Sequence, residues 1–509
     1  MDLPPPLSRA VARRLKQLGD DDVVRRIWEK DHTVWRDDPT EITDRLGWLT
    51  VPNDMRDNVS DLKRFAEGCA ADGLTTAVLA GMGGSSLAPE VLRMTLGVAP
   101  GMLDLVVLDT THPDAILGLE RSLDLDRTLF IVSSKSGTTT ETNSHFAYFW
   151  DKVGDGSRFV AITDPDTPLE KLAGEHGFRR TFLNPPDIGG RYSALSYFGL
   201  VPGALIGADL EALLESAFRM VDICRRSPGS GNTGAALGAI IAEGFLAGRD
   251  KLTLVLPDGF RSLGFWVEQL IAESTGKDGK GIVPVEGEAL GTGAVYGRDR
   301  LFVGVGSGDV AEKLRPLEDQ GHPAVLMSFG DSIELGAAFF QWEFATAVAG
   351  AIIRIHPFDQ PNVQEAKDAT EKVLSTEDEG DPGVGDLNGL LGEIGPGDYL
   401  AIQAFLPRND DTDRRLRDVR MRLRDRLRVA TTVGFGPRFL HSTGQLHKGG
   451  PNTGVFIQVV ERPDQDIPIP GKPYSFGRLI AAQAEGDLRS LQSHGRRVAR
   501  VGLSDLEGV

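Results

Sequence analysis

The sequence predicts an α/β protein: two doubly wound parallel-sheet units followed by a third α/β section. Three observations carry this. Short apolar, β-branched runs recur along the chain, each followed by a turn and a helix-like stretch, as a parallel sheet covered on both faces requires. The rhythm restarts after a Ser/Gly-rich stretch and again after an acidic one. The length, 509 residues, exceeds what one hydrophobic core organises.

Taken in order, residues 1–60 read as mixed helix and loop. TTAVLA (75–80), LDLVVLD (103–109), TLFIVSS (128–134) and SRFVAITD (157–164) read as buried strands, with SSLAPEVLRMTLG and TETNSHFAYFWDKV as helices between them. This gives a first α/β domain over 61–215. SPGSGNTG (227–234) reads as the connection to a second, over 216–380, with TGAALGAIIAEGFLAG (233–248) as a helix and KLTLVLPD (251–258), RLFVGVGS (300–307) and PAVLMSFG (323–330) as strands. TEDEGDPGVGD (376–386) reads as a linker into a third section over 381–509, with strands at YLAIQAFLP, RVATTVGFG and TGVFIQVV. The run RRLRDVRMRLRDRL (414–427) alternates in sign and predicts a solvated helix laced with ion pairs rather than a nucleic-acid-binding helix.

Composition narrows the function. The formal net charge of -18 repels a phosphate backbone and anionic lipid, so no nucleic-acid or membrane partner is expected, and an anionic substrate needs a local positive site. Cys69 and Cys224 form no C-x-x-C pair, which argues against a disulfide framework or zinc-thiolate site and favours a reducing cytoplasm. The N-terminus lacks the apolar stretch of a signal peptide. The most apolar window, 337–353, is interrupted by Gln341 and Glu343 and predicts a buried core helix.

Two loops carry the chemistry. GMGGSS (81–86) follows a strand and opens a helix, so Gly83 and Gly84 allow close approach to an anion, and Ser85, Ser86 and free helix N–H groups offer donors. It is not G-x-G-x-x-G and no acidic partner for a ribose follows, which disfavours a dinucleotide. SSKSGTTTET (133–142) packs Ser134, Ser136, Thr138, Thr139 and Thr142 around Lys135. That hydroxyl density exceeds what a helix cap needs and suits the three acceptor oxygens of a phosphate monoester. Both loops belong at the C-terminal ends of parallel strands, where ligands bind.

SSKSGTTTET resembles the sugar-phosphate-binding loop of the phosphoglucose isomerase family. GMGGSSLAPEVL, IGGRYSALSYFGL (188–200), EQLIAESTGK (268–277) and PFDQPNVQEAK (357–367) follow the same family in the same order, and HSTGQLHKGG (441–450) is similar to its catalytic-histidine segment. The variant resembles the type that some bacteria carry fused behind a transaldolase, although these residues leave no room for that barrel. The resemblance implies two sugar-isomerase (SIS) domains and interconversion of glucose 6-phosphate and fructose 6-phosphate through an enediolate, in glycolysis and gluconeogenesis, with no metal or other cofactor. The alternatives are a dual phosphoglucose/phosphomannose isomerase and a non-catalytic sugar-phosphate-binding SIS protein. A homodimer, with a histidine contributed across the interface, is the family expectation.

The resemblance also assigns roles. Glu273 is the proton-shuttling base, at the end of a helix that Gly276 terminates; proximity to the negative helix end is expected to raise its pKa. Arg191, after two glycines, stabilises the enediolate; its alternative is a structural pair with Asp187. Lys367 and His441 open the sugar ring, and Gln269, one helical turn before Glu273, hydrogen-bonds the sugar or its phosphate. One feature departs from the family: the histidine usually lies between the glutamate and the lysine, whereas His441 follows Lys367. His322 and His356 occupy that interval, and His441 is preferred because its neighbours match. His447 is expected to be structural.

Overall fold

The computed structural model describes residues 3–375 and 385–509. Three parallel sheets form its frame. The first consists of β1 (Thr76–Gly81), β2 (Asp104–Leu108), β3 (Thr128–Ser133), β4 (Phe159–Thr163) and β5 (Arg180–Leu183), in the order β2-β1-β3-β4-β5. The second has β6 (Lys251–Val255), β7 (Val283–Val285), β8 (Arg300–Gly306) and β9 (Ala324–Ser328), ordered β7-β6-β8-β9. The third has β10 (Tyr399–Phe405), β11 (Ala430–Phe435), β12 (Gly454–Val460) and β13 (Arg497–Val501), ordered β11-β10-β12-β13. Every pairing is parallel.

All three sheets thus begin the same way. The second strand goes to one side of the first, and the third goes to the other. Connections leaving two such neighbouring strands diverge and open a crevice at their C-terminal ends. In the first sheet that crevice lies between the loops after β1 and β3, the two phosphate-type loops of the sequence.

One core joins the N-terminal helices, one face of the first sheet, the second sheet and the helix Leu335–Ile353. That helix is long and apolar enough by composition to cross a membrane, but it is buried by the helices Leu210–Cys224 and Thr233–Leu246, as expected of a core helix. The third sheet has its own core around Leu400, Ile402, Val455 and Ile457. It is tied to the rest twice: Phe476 and Leu479 pack under the first sheet, and Leu446 and Phe456 meet Val283 and Val285 of the second.

Three strands and a helix are among the elements with no counterpart in the expected pattern. β5 and β7 are four and three residues long, and Pro284 masks β7. β13 reads RVARV, and the helix Phe476–Ser493 is rich in small and polar residues. The expected division at residue 215/216 falls inside the helix Leu210–Cys224, and the expected linker 376–386, except for its last two residues, lies outside the described residues. The Arg/Asp run is the helix Asp410–Leu427, but its expected solvation holds only in part. Arg420 and Arg424 turn inward, Arg420 donating to the carbonyls of Thr431 and Glu286, and Arg424 to that of Ala289.

Candidate active site

A cavity of about 510 Å³ opens at the C-terminal ends of β1 and β3. Gly83, Gly84, Ser85, Lys135, Ser136 and Thr139 line it on the side of the first sheet, and Arg191, Gln269, Glu273, Lys367 and His441 line the rest. Eleven of the fifteen sequence-predicted site residues therefore share one cavity.

The loop after β1 makes this closeness feasible. Gly83 has φ +54°, and a Cβ there would lie 2.8 Å from both Gln269 Nε2 and the His441 carbonyl oxygen. A Cβ on Gly84 would collide with the Gly190 carbonyl, so the Arg191 turn can press against this loop only because Gly84 has no side chain. In the loop after β3, Ser134 Oγ accepts from the Gly137 N–H at 3.1 Å and lies 2.9 Å from Thr139 Oγ1, while Ser136 Oγ lies 2.9 Å from Thr138 Oγ1. Gly137, at φ +67°, closes the turn before the helix Thr140–Val153, whose N-terminal N–H groups follow it. Lys135 is held by Asp164 and by the Pro186 carbonyl at 2.9 Å.

Four predicted residues lie elsewhere. Ser86 is buried and donates to the Gly83 carbonyl at 3.2 Å, bracing the first loop. Ser134 braces the second in the same way. Thr138 faces a neighbouring hollow, and Thr142 is buried in its helix with no hydrogen-bond partner for Oγ1 among the described residues.

The helix Leu263–Thr275, capped by Gly276, brings Gln269 and Glu273 onto one face, with Gln269 Nε2 3.4 Å from Glu273 Oε2. Glu273 is buried, and Arg191 Nη1 lies 3.4 Å from the same oxygen. Burial pushes the Glu273 carboxyl above its ordinary range, opposed by Arg191, His441, Gln269 and Lys277. Desolvation, rather than the expected helix end, is thus the main cause. Arg191 is fixed by Ser274 Oγ at 2.8 Å and by the Pro357 and Asp359 carbonyls at 2.7 and 2.9 Å. Its alternative partner Asp187 instead faces Lys30 at 3.5 Å.

His441 ends the short turn Arg438–His441 that follows β11. Its carbonyl accepts from Gln269 Nε2 at 2.9 Å, and its Nε2 donates to Glu141 Oε1 at 3.0 Å. Glu141 is buried, which by itself raises its pKa; the facing His441 and the nearby Lys367 more than offset this and hold it at about 2. The carboxylate is therefore ionised and fixes the imidazole's tautomer and direction. Gln483 also donates to Glu141 Oε1, at 2.7 Å, and accepts from Thr111 Oγ1 at 2.6 Å. Glu141 and Gln483 were not singled out in the sequence. Glu141 stands inside the quoted TTTET motif, but Gln483 carries no local signal.

The other histidines lie away from the cavity. His322 pairs with the Gly293 carbonyl and His356 with that of Thr40, both at 3.0 Å. His447 is buried against Gln403, and burial holds its pKa well down. Lys367, on the helix Pro361–Leu374, makes no hydrogen bond or ion pair among the described residues and faces the cavity with His441. Among the described residues no group of His, Cys, Asp or Glu side chains is disposed to hold a metal ion.

The arrangement offers an anion cradle at one end, a buried carboxylate of raised pKa beside a guanidinium, and a histidine–lysine pair. The phosphoglucose isomerase family model matches residues 40–290. The glucose-6-phosphate isomerase of Rubrobacter xylanophilus is 29% identical over 391 residues, covering 65% of this chain and 89% of that protein. That of Thermus thermophilus is 38% identical over a shorter stretch of 179 residues, 34% of this chain and 42% of that protein. A solved structure of a hypothetical protein from Thermus thermophilus superposes with a TM-score of 0.63 at 25% identity, covering 74% of this chain and all of that one. A glucose-6-phosphate isomerase structure from Chlamydia trachomatis, at 19% identity and a TM-score of 0.60 over 71% of this chain and 85% of its own, shares the fold. The family match and the relatives make this chain similar to the phosphoglucose isomerase family, and the two solved structures share its fold.

Proposed function

We propose that the protein interconverts glucose 6-phosphate and fructose 6-phosphate, with Glu273 moving one proton between C1 and C2. The observation that carries this is the placement of Glu273 in the cavity whose other wall is the hydroxyl-rich loop 134–139. The loop N–H groups, Ser85, Ser136 and Thr139 hold the phosphate, and the helix Thr140–Val153 presents its positive end to it. The sugar's reactive end then faces Glu273.

The cyclic substrate opens first. His441, oriented by Glu141, and Lys367 transfer the proton between the C1 hydroxyl and the ring oxygen. In the open aldose, Glu273 removes the C2 proton. Arg191 stabilises the negative charge that develops on the enediolate oxygens, and its fixed contacts mean it need not reorganise to do so. The hydroxyl proton passes from O2 to O1, and Glu273 returns its proton to C1, giving the ketose. A carboxyl raised by burial is a stronger base toward carbon than a solvated one. Each step is a proton transfer, and the residues named suffice for it.

The homodimer and the cytoplasmic setting belong to the same reading, supported by the family resemblance and by two buried, unpaired cysteines. The test is a coupled assay with fructose 6-phosphate on wild type and Glu273→Gln. Turnover in the wild type, lost in the variant while the substrate still binds, supports the assignment. Binding without turnover in the wild type would leave a sugar-phosphate-binding protein instead.

A further inference from the structure

A second, smaller cavity of about 110 Å³ lies where the C-terminal ends of the second and third sheets face each other. It is built from the stretches after β6, β7, β10 and β11 together with the helix Asp410–Leu427. Five arginines line it against three carboxylates.

Arg420 is held by the Thr431 and Glu286 carbonyls and faces Glu286 and Glu288, and the other four arginines are poorly neutralised. Arg438 pairs with Asp109 at 3.2 Å, but its buried Nη2 has no hydrogen-bond partner among the described residues. Among the described residues Arg408 forms one ion pair, with Asp413 at 3.7 Å. The guanidiniums of Arg408 and Arg438 both lie against the Phe265 ring, 5.3 and 5.2 Å from its centroid, so two like charges share one aromatic ring. Arg261 and Arg417 stand exposed at the rim and make no hydrogen bond or ion pair among the described residues. Inside, Glu268 and Glu286 are both pushed up by burial, and Glu268 further by repulsion from Glu286, so the pair carries less than its full negative charge near neutral pH. The remainder is a net positive pocket in a protein whose overall charge is -18.

We propose that this cavity is a second anion site that takes a phosphoryl dianion, separate from the substrate cavity. Its volume admits a phosphoryl group rather than a whole sugar, and its mouth, flanked by Arg261 and Arg417, lets any remainder of an ester lie in solvent. Guanidiniums suit this ligand because their paired N–H groups match phosphoryl oxygens. Its position follows the rule that ligands of parallel sheets gather at the C-terminal strand ends. It also abuts the substrate site, since Glu268 precedes Gln269 and contacts Ser442, the neighbour of His441.

Calorimetric titration of the full chain with orthophosphate, and separately with glycerol 3-phosphate, tests the site. The wild type is expected to bind two equivalents of at least one probe. The rim variant Arg261→Gln/Arg417→Gln is expected to lose one of them, or to bind it at least ten-fold more weakly, with unchanged melting temperature and basal turnover. Ser136→Ala/Thr139→Ala should lose the other. The probe that binds more tightly identifies the ligand as free anion or ester. A single equivalent in the wild type that the rim variant retains, or two in the rim variant with unchanged affinity, would overturn the proposal. Because the readout is stoichiometry, the result does not depend on what reaction the larger cavity performs.

Discussion

Glu273 is a carboxylate that the fold makes uncomfortable. Its pKa is raised chiefly by burial. A base of this kind must be ionised to act, so the acid limb of kcat/KM is expected above about 4.3, the value of a free glutamate. A pH–rate profile with its acid limb at or below that value would contradict the assignment. Glu273→Gln should lower kcat by about 10²–10⁴-fold, the range of a lost general base. The stability consequence has a definite sign. A carboxyl whose folded pKa exceeds its unfolded one costs stability as pH rises through that interval. Relative to wild type, the melting temperature of Glu273→Gln should therefore improve between pH 4 and neutrality. Glu141 behaves oppositely. Held at about 2, its carboxylate contributes stability that is complete above about 4.3 and is lost as pH falls toward 2. Glu141→Gln should be destabilised at neutral pH, with a shallower decline in acid, as urea unfolding across pH would reveal. It should also turn over more slowly, since His441 loses the acceptor that orients it.

Among the elements, four turns and two helix ends meet at the cavity. The loop after β1 sits under the Arg191 turn, and their contact depends on Gly84. Gly84→Ala forces a methyl onto the Gly190 carbonyl. Such overpacking typically costs about 1–3 kcal/mol, and the displaced Arg191 should lower kcat/KM as well. A denaturant midpoint equal to wild type, with full activity, would show that the turn can relax. The glycine motif and the hydroxyl loop were legible in the sequence because strand, turn and helix start are contiguous, and their chemistry is written in adjacent residues. Ser86 and Ser134 show the limit of that reading. A hydroxyl inside a motif can serve the loop's own hydrogen bonds, and only backbone geometry distinguishes a brace from a ligand contact.

Across the whole molecule, the third sheet carries His441 and Gln483 to a site built otherwise by the first two. Leu446 is one of the apolar side chains seating it, packed over Gly276 at the end of the Glu273 helix. Leu446→Ala should lower unfolding stability by about 2–5 kcal/mol. It should reduce turnover more than the loss of folded protein explains, measured as activity per folded molecule. The sequence by itself determined the sheet-and-helix rhythm, the two anion loops and the resemblance to the phosphoglucose isomerase family, because these rest on contiguous patterns and local chemistry. The tertiary structure alone decided which histidine meets the cavity, which hydroxyls face it, and that Glu141 and Gln483 support His441. Those facts depend on how segments far apart in the chain pack together, as His441 and Glu141 do across 300 residues. No local pattern encodes such a contact; it arises from burying the third section's apolar face against the other two sheets.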